Sequence, residues 1–269
     1  ERTWKFPKRS PLCGGDGSIE RVPGEAAHRC AVRGSFSEQY RKLAHFAGRS
    51  ALDIDGLGKE TVKLLMEHEL LSAYDDFFEL TRDELLALPG FKEKSADNLI
   101  SSLGTVRTVP FDRFLVGLSI PHVGEETAYL LAGSFGTLAK LQKASVDDIA
   151  AIKGIGSIVA KEVFDWFSES ENEALIARLM QHLMLQKVEK PVGGALDGQT
   201  VVVTGTLESM SREEAEAAVR KAGGSVSGSV SKKTSFVVAG ENGGSKKDKA
   251  DSLGVLVVEE TEFLKRLRS

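Results

Sequence analysis

Four short turns carry the residues best able to do chemistry in this chain: Asp55-Gly-Leu-Gly58, Pro89-Gly-Phe-Lys92, Pro121-His-Val-Gly124 and Lys153-Gly-Ile-Gly156. Glycine tolerates positive φ and lacks the Cβ that would hold a ligand away from the main chain. Where a helix starts just beyond such a turn, its unpaired N–H groups and the positive end of its dipole face the same way. That arrangement binds anions without needing a charged side chain, and a phosphodiester is the natural anion. The candidate DNA-binding positions are Gly56, Gly58, Gly90, Gly124, Gly154 and Gly156, with Lys59, Lys92, Lys94 and Lys161 as local cations.

The elements that must position these turns recur with them. Taking Gly56, Gly90, His122 and Gly154 as equivalent, the spacings are 34, 32 and 32 residues, which is an internal repeat. In each copy an apolar segment of helical period leads into the turn. A second helix follows, with Thr61, Ser95 and Thr127 in its first turn and Val62, Ala96, Ala128 or Ala160 where two helices pack closely. The unit is a helix-hairpin-helix. Repeats of similar period belong to tetratricopeptide and ankyrin arrays, but no copy carries Trp-Leu-Gly-Tyr or Thr-Pro-Leu-His. The apolar face of Phe111, Phe114, Leu115, Leu118 and Ile120, with Trp166 and Phe167, is expected to be packing core.

A second possible site lies in residues 10–47, which hold both cysteines, Cys13 and Cys30. Structural zinc takes four soft ligands, commonly as two close pairs. Ser10 and Ser35 stand near the two cysteines where further ligands would be needed, and a neutral hydroxyl is a poor one. His28 is the other nearby donor. At most half a zinc site remains, so the segment is expected to be held by its neighbours or to move. A helix follows from Glu38 to Ala47.

Beyond a polar linker at 186–195 the hydrophobic period changes. Strands are expected at Thr200–Thr204, Val226–Val230, Ser235–Ala239 and Val255–Val258, with helices from Ser211 to Ala222, Lys246 to Leu253 and Glu260 to Leu267. This order, with buried-looking strands, implies a small parallel four-stranded sheet covered by helices. Thr204-Gly205-Thr206 lacks the dinucleotide fingerprint and Gly240–Ser245 lacks the Walker pattern. The fold class is multi-domain: a zinc-finger-like segment and lead-in helix (1–47), a mainly α helix-hairpin-helix array (48–185), a linker (186–195) and a small α/β domain (196–269).

The totals suit this reading. The chain has 269 residues and a net charge of −4, with two cysteines and no apolar run long enough to span a bilayer, so a cytoplasmic location is expected. The opening Glu-Arg-Thr-Trp-Lys-Phe-Pro reads as the tail of something upstream. Charge is uneven: residues 1–50 carry ten Lys/Arg against five Asp/Glu, residues 51–190 carry 14 against 23, and residues 191–269 carry 11 of each. Contact with nucleic acid in the repeat region must therefore be local, through turn amides and a few lysines.

In this order the parts resemble the C-terminal half of bacterial NAD-dependent DNA ligase, over nearly the whole chain. The resemblance rests on Leu52-Asp-Ile-Asp-Gly-Leu-Gly58, Glu93-Lys-Ser-Ala-Asp-Asn-Leu99, His122-Val-Gly124, Ile152-Lys-Gly-Ile-Gly156, Val203-Thr-Gly-Thr-Leu207 and Gly228-Ser-Val-Ser-Lys-Lys233. It implies a four-cysteine zinc finger, a helix-hairpin-helix domain that grips DNA around a nick, and a BRCT domain. Ser10 and Ser35 replace two zinc cysteines, and Lys92 replaces the second glycine of its hairpin. The family's nucleophilic lysine, in Lys-x-Asp-Gly, has no counterpart in these residues, so this portion should not seal nicks by itself. NAD and magnesium would act only through upstream adenylation and OB-fold domains. The implied partners are those domains and nicked double-stranded DNA, with the chain a monomer and away from membranes. Two other readings are a DNA-binding subunit of a structure-specific repair nuclease and a non-catalytic interaction module. In the last, Thr204, Gly205 and Lys249 would bind a phosphate.

Overall fold

The computed structural model describes residues 8–10, 18–21, 28–30, 35–188 and 194–267. It divides into two compact units, Glu1–Lys187 and Val188–Ser269. Each is built separately.

The first unit opens with an antiparallel pair, β1 (Ile19–Arg21) and β2 (His28–Cys30). Ser35 then caps α1 (Phe36–Ala47) by accepting the Glu38 N–H. Four hairpins follow. The first joins α1 to α2 (Lys59–Glu67). A short 3-10 turn at Asp75–Phe78 leads to the second, α3 (Arg82–Leu86) with α4 (Glu93–Thr105). Strand β3 (Thr108–Pro110) enters the third, α5 (Phe111–Gly117) with α6 (Glu125–Phe135). After α7 (Leu138–Gln142) comes the fourth, α8 (Val146–Ala150) with α9 (Ser157–Ser168). Helix α10 (Ser170–His182) and β4 (Met184–Gln186) close the unit, β4 pairing parallel to β3.

The sequence pattern accounts for the packing. Val62, Ala96, Ala128 and Ala160 are fully buried, and so are Phe111, Phe114, Leu115, Leu118 and Ile120. Trp166 and Phe167 are half-buried, ring edge against ring face. The two pairs of hairpins are joined where α5 crosses α1. A Cβ on Gly117 would lie 3.0 Å from Phe46 and 3.3 Å from Ala51, so glycine is what lets the two helices meet there. Arg113 reinforces the junction by donating to the carbonyls of Ala51 and Arg49 at 2.6 Å each. On the other side, α10 is tied to the 3-10 turn by Arg178 with Asp75 and by His182 with Glu79.

The second unit holds β5 (Thr200–Thr204), α11 (Arg212–Lys221), β6 (Ser225–Val226), β7 (Phe236–Ala239), α12 (Gly244–Leu253), β8 (Leu256–Val258) and α13 (Glu260–Arg266). The four strands are parallel, in the order β6-β5-β7-β8. Val201 and Val203 join a core with Val219 and Phe263, while Val202 packs with Val237 and Ala250 on the opposite face. Both faces are thus covered by helices, which explains why β5 reads as a continuous apolar run. Strand β6 stops at Val226, short of the expected Val230, because Ser227 and Ser229 fold back on each other around Gly228.

Candidate nucleic-acid interface

All four corners share one backbone design. The N–H of Leu57, Phe91, Val123 and Ile155 returns to the carbonyl three residues earlier, at 3.2, 3.3, 3.1 and 3.0 Å. The residue before each, Gly56, Gly90, His122 and Gly154, has φ of +88°, +89°, +62° and +103°. The four positions aligned by the repeat are therefore all left-handed. Gly58, Lys92, Gly124 and Gly156 then sit at the N-caps of α2, α4, α6 and α9. Their carbonyls accept the first helical bond from Val62, Ala96, Ala128 and Ala160 at 2.9–3.0 Å. The amides of the first three residues of each helix have no helical acceptor.

Two kinds of glycine occur at the corners. The left-handed ones serve the fold: Gly56 and Gly154 also lie against Leu99 and Leu130, where an added Cβ would sit 3.5 and 3.0 Å away. The N-cap ones do not. Gly58, Gly124 and Gly156 have φ of −68°, −97° and −84° with extended ψ, which any residue adopts. A Cβ on any of them would meet nothing within 4 Å. All three are exposed. Serine or aspartate there would cap the helix better than glycine does. Glycine leaves the amides uncapped and open to a partner.

The four corners are not equal. In the second, the Lys92 N–H donates to Ser95 Oγ at 2.9 Å and the hydroxyl returns to the Lys92 carbonyl, so one outward amide is already used. In the third, Glu125 and Glu126 stand in the first turn of α6, favouring the helix dipole but repelling a phosphate. In the first, Lys59 is followed by Glu60. In the fourth, the first turn of α9 has no carboxylate, Lys153 lies just before the corner and Lys161 just after it. Lys161 is ion-paired with Asp165, an exposed pair that holds it above the ordinary lysine range mainly by hydrogen bonding. The first and second corners border a groove of about 830 Å³, lined by Gly56, Thr61, Gly90, Phe91, Ser95 and Asn98 among others.

The expected candidates thus fall as follows. Gly56, Gly58, Gly90, Gly124, Gly154 and Gly156 are exposed at corners; Lys59, Lys92, Lys94 and Lys161 are exposed beside them. At the fourth corner, Lys153 belongs to the turn the sequence reading quoted but was not singled out there as a cation, and Ile158, 72% exposed, was not noted at all.

The other two candidate sites fare differently. Cys13 lies outside the described residues, and of Cys30 the backbone in β2 is described. Ser35 is buried and its hydroxyl is committed to capping α1. Such a group does not fit a zinc ligand, and among the described residues no three His, Cys, Asp or Glu gather as a metal site. In the second unit the Thr204 hydroxyl is buried and donates to the Gly243 carbonyl at 2.9 Å. Gly205 is needed internally, since a Cβ there would lie 2.5 Å from the Glu241 carbonyl oxygen. Lys249 is exposed on α12.

Comparison with known proteins agrees with this geometry. Residues 49–105 match the SAM-like helix-hairpin-helix tandem family, residues 113–176 the helix-hairpin-helix motif family, and residues 191–267 the BRCA1 C-terminus (BRCT) domain family. Among the described residues no helix is long and apolar enough to cross a membrane. The chain is 42% identical over 268 residues to a DNA ligase of Symbiobacterium thermophilum, covering 98% of this chain and 40% of the relative. It is 40% identical over 271 residues to that of Gemmatimonas aurantiaca (99% and 39%) and 40% over 268 residues to that of Koribacter versatilis (99% and 39%). The chain spans about two-fifths of the length of these relatives. It carries helix-hairpin-helix repeats and a BRCT domain, and along nearly its whole length it is similar to a corresponding part of DNA ligases.

Proposed function

We propose that this chain is the DNA-gripping, C-terminal portion of an NAD-dependent DNA ligase. Its hairpin corners would hold nicked duplex through the sugar-phosphate backbone while the ends are joined in replication and repair. One observation carries the reading: Gly58, Gly124 and Gly156 stand at exposed N-caps where neither backbone conformation nor packing calls for glycine. A bare N-cap weakens its helix slightly but admits a phosphate to the amides beyond it.

Backbone contacts position a duplex without reading it, so affinity should depend on the nick and on salt, and scarcely on sequence. Adenylation needs a nucleophilic amine set against a bound nucleotide. The Lys-x-Asp-Gly tetrapeptide is not found in these residues; nick sealing, NAD and magnesium are therefore assigned to adenylation and OB-fold domains upstream. The fit of Ser35 argues against a zinc ion. Lys249 remains the cation through which the BRCT domain would meet a phosphate.

The test is Gly156→Asp. An N-cap aspartate accepts from its own helix and favours the dipole, so α9 should gain about 0.5–1 kcal/mol. The same carboxylate fills the phosphate position, so affinity for nicked duplex should fall about tenfold, a change of ~1.4 kcal/mol. Greater stability with undiminished affinity would remove the fourth hairpin from the interface. Gly56→Val is a poorer probe, because φ of +88° strains any β-branched residue there.

A further inference from the structure

Within each pair of hairpins one corner is packed on a helix of the other hairpin: Gly56 lies against Leu99 of α4, and Gly154 against Leu130 of α6. Across the boundary between the pairs the ties are of another kind, because two arginines of the second half reach into the first. The Arg113 guanidinium donates to the carbonyls of Arg49 and Ala51 at 2.6 Å each and lies 4.0 Å from the Asp53 carboxylate. Arg178 donates to both carboxylate oxygens of Asp75, at 2.6 and 3.2 Å. His45 Nε2 adds a bond to the Val116 carbonyl at 3.1 Å. Neither arginine belongs to a corner: Arg113 stands in the first turn of α5, the end away from the third corner, and α10 carries no corner at all.

We propose that Arg113 and Arg178 are positioning residues for DNA: they lock the two hairpin pairs at one angle, so that both pairs meet a single duplex as one rigid, bivalent body. This rests on the reading of the corners as a DNA grip and adds to it the means by which weak corners act together. A guanidinium fork fixes direction as well as distance, and here both forks are spent on the opposite half of the array rather than on a phosphate. Residues 51–190 carry 14 Lys/Arg against 23 Asp/Glu, so neither pair can hold a duplex by charge alone. Once one pair is bound, binding by the other is intramolecular, and its gain is set by the effective concentration at which it is presented. A fixed angle raises that concentration and removes the ordering that a loose joint would pay on binding.

The test is a set of double-mutant cycles. Binding of the full chain to nicked duplex is titrated at several salt concentrations for Arg113→Met, for Arg178→Asp and for Arg178→Asp with Asp75→Arg. Each is made in the wild-type chain and in one carrying Gly124→Asp and Gly156→Asp, whose second pair no longer holds phosphate; circular dichroism checks the fold. In the wild-type chain Arg113→Met and Arg178→Asp should each weaken binding about fivefold. The salt slope of Arg113→Met should be unchanged, whereas loss of a phosphate contact would lower it by about one. Adding Asp75→Arg rebuilds the pair with its charges exchanged and should restore the affinity lost in Arg178→Asp. Where the second pair is already released, none of these changes should cost anything further. An equal loss in both backgrounds, a lowered slope in Arg113→Met, or no recovery in the exchanged pair would overturn the positioning role. Wild-type affinity in both Arg113→Met and Arg178→Asp would overturn it and leave the corners standing. If Gly124→Asp with Gly156→Asp binds as the wild type does, the second pair's part in the grip falls, and the locked array falls with it.

Discussion

Glycine at position 117 and glycine at position 156 look alike in the sequence and do opposite work. Gly117 is buried at the crossing of α5 and α1, with 3.0 Å between its missing Cβ and Phe46. Gly156 faces open space. Gly117→Val should overpack the junction, cost about 2 kcal/mol and lower the melting temperature without removing any corner amide. Gly156→Asp should raise stability and weaken DNA binding. A thermal melt beside a binding isotherm separates the two roles. The phase of the corners was legible because glycine stands at three of the four equivalent corner positions, all left-handed, and only glycine adopts that conformation freely. His122 was placed there by spacing alone. Ile158 was not legible: an isoleucine two residues into a helix reads as core, and exposure depends on which way the neighbouring hairpin lies.

Short helices in this chain are held by caps more than by length. Ser145 and Asp148 exchange hydrogen bonds around the start of α8, Thr81 and Glu84 do so at α3, and Ser211 and Glu214 at α11. The Glu84 and Glu214 carboxyls are held below the ordinary carboxylate range first by the backbone amides of Thr81 and Ser211 and then by their hydroxyls, and Asp148 first by the Ser145 hydroxyl and then by its amide. Glu260 is likewise lowered, chiefly by the Ser209 hydroxyl, and ties α13 to the loop after β5. A carboxyl whose folded value is depressed stabilises above its unfolded value, and that contribution is lost as pH falls through the folded one. Both units should therefore lose stability with acid, below the usual carboxylate range of about 4. Glu260→Gln should flatten that loss in the second unit, followed by thermal melts from pH 7 to 3; an unchanged acid profile would contradict the role of this tie. The Ser211 cap was readable from Ser-x-x-Glu. The β3–β4 ladder was not, because a three-residue strand from the middle of the array pairs with one from its end, neither carries a period of its own, and both lie against α5.

For the whole molecule the deciding quantity is charge. The hairpin array holds 14 basic and 23 acidic residues between positions 51 and 190, so it cannot attract DNA as a broad basic surface does. Its affinity must come from neutral amides, a few lysines and shape, and its salt slope should be shallow, with each lysine contact contributing about −0.9. Lys161→Ala should reduce that slope by about one, and titrating nicked duplex at several salt concentrations measures it; an unaltered slope would put Lys161 outside the contact. Domain order and the helical array could be read from the residues because the repeat is local and regular. The ranking of the four corners was legible only in part: the first-turn carboxylates stand in the sequence, but the Ser95 hydroxyl reaching back to Lys92 does not. The most direct test is amide hydrogen exchange on the full chain with and without nicked duplex. The backbone grip predicts slowed exchange at Ser157, Ile158 and Val159, with a weaker effect at the first turn of α4. Unchanged exchange at all four corners, with protection confined to residues elsewhere, would contradict it.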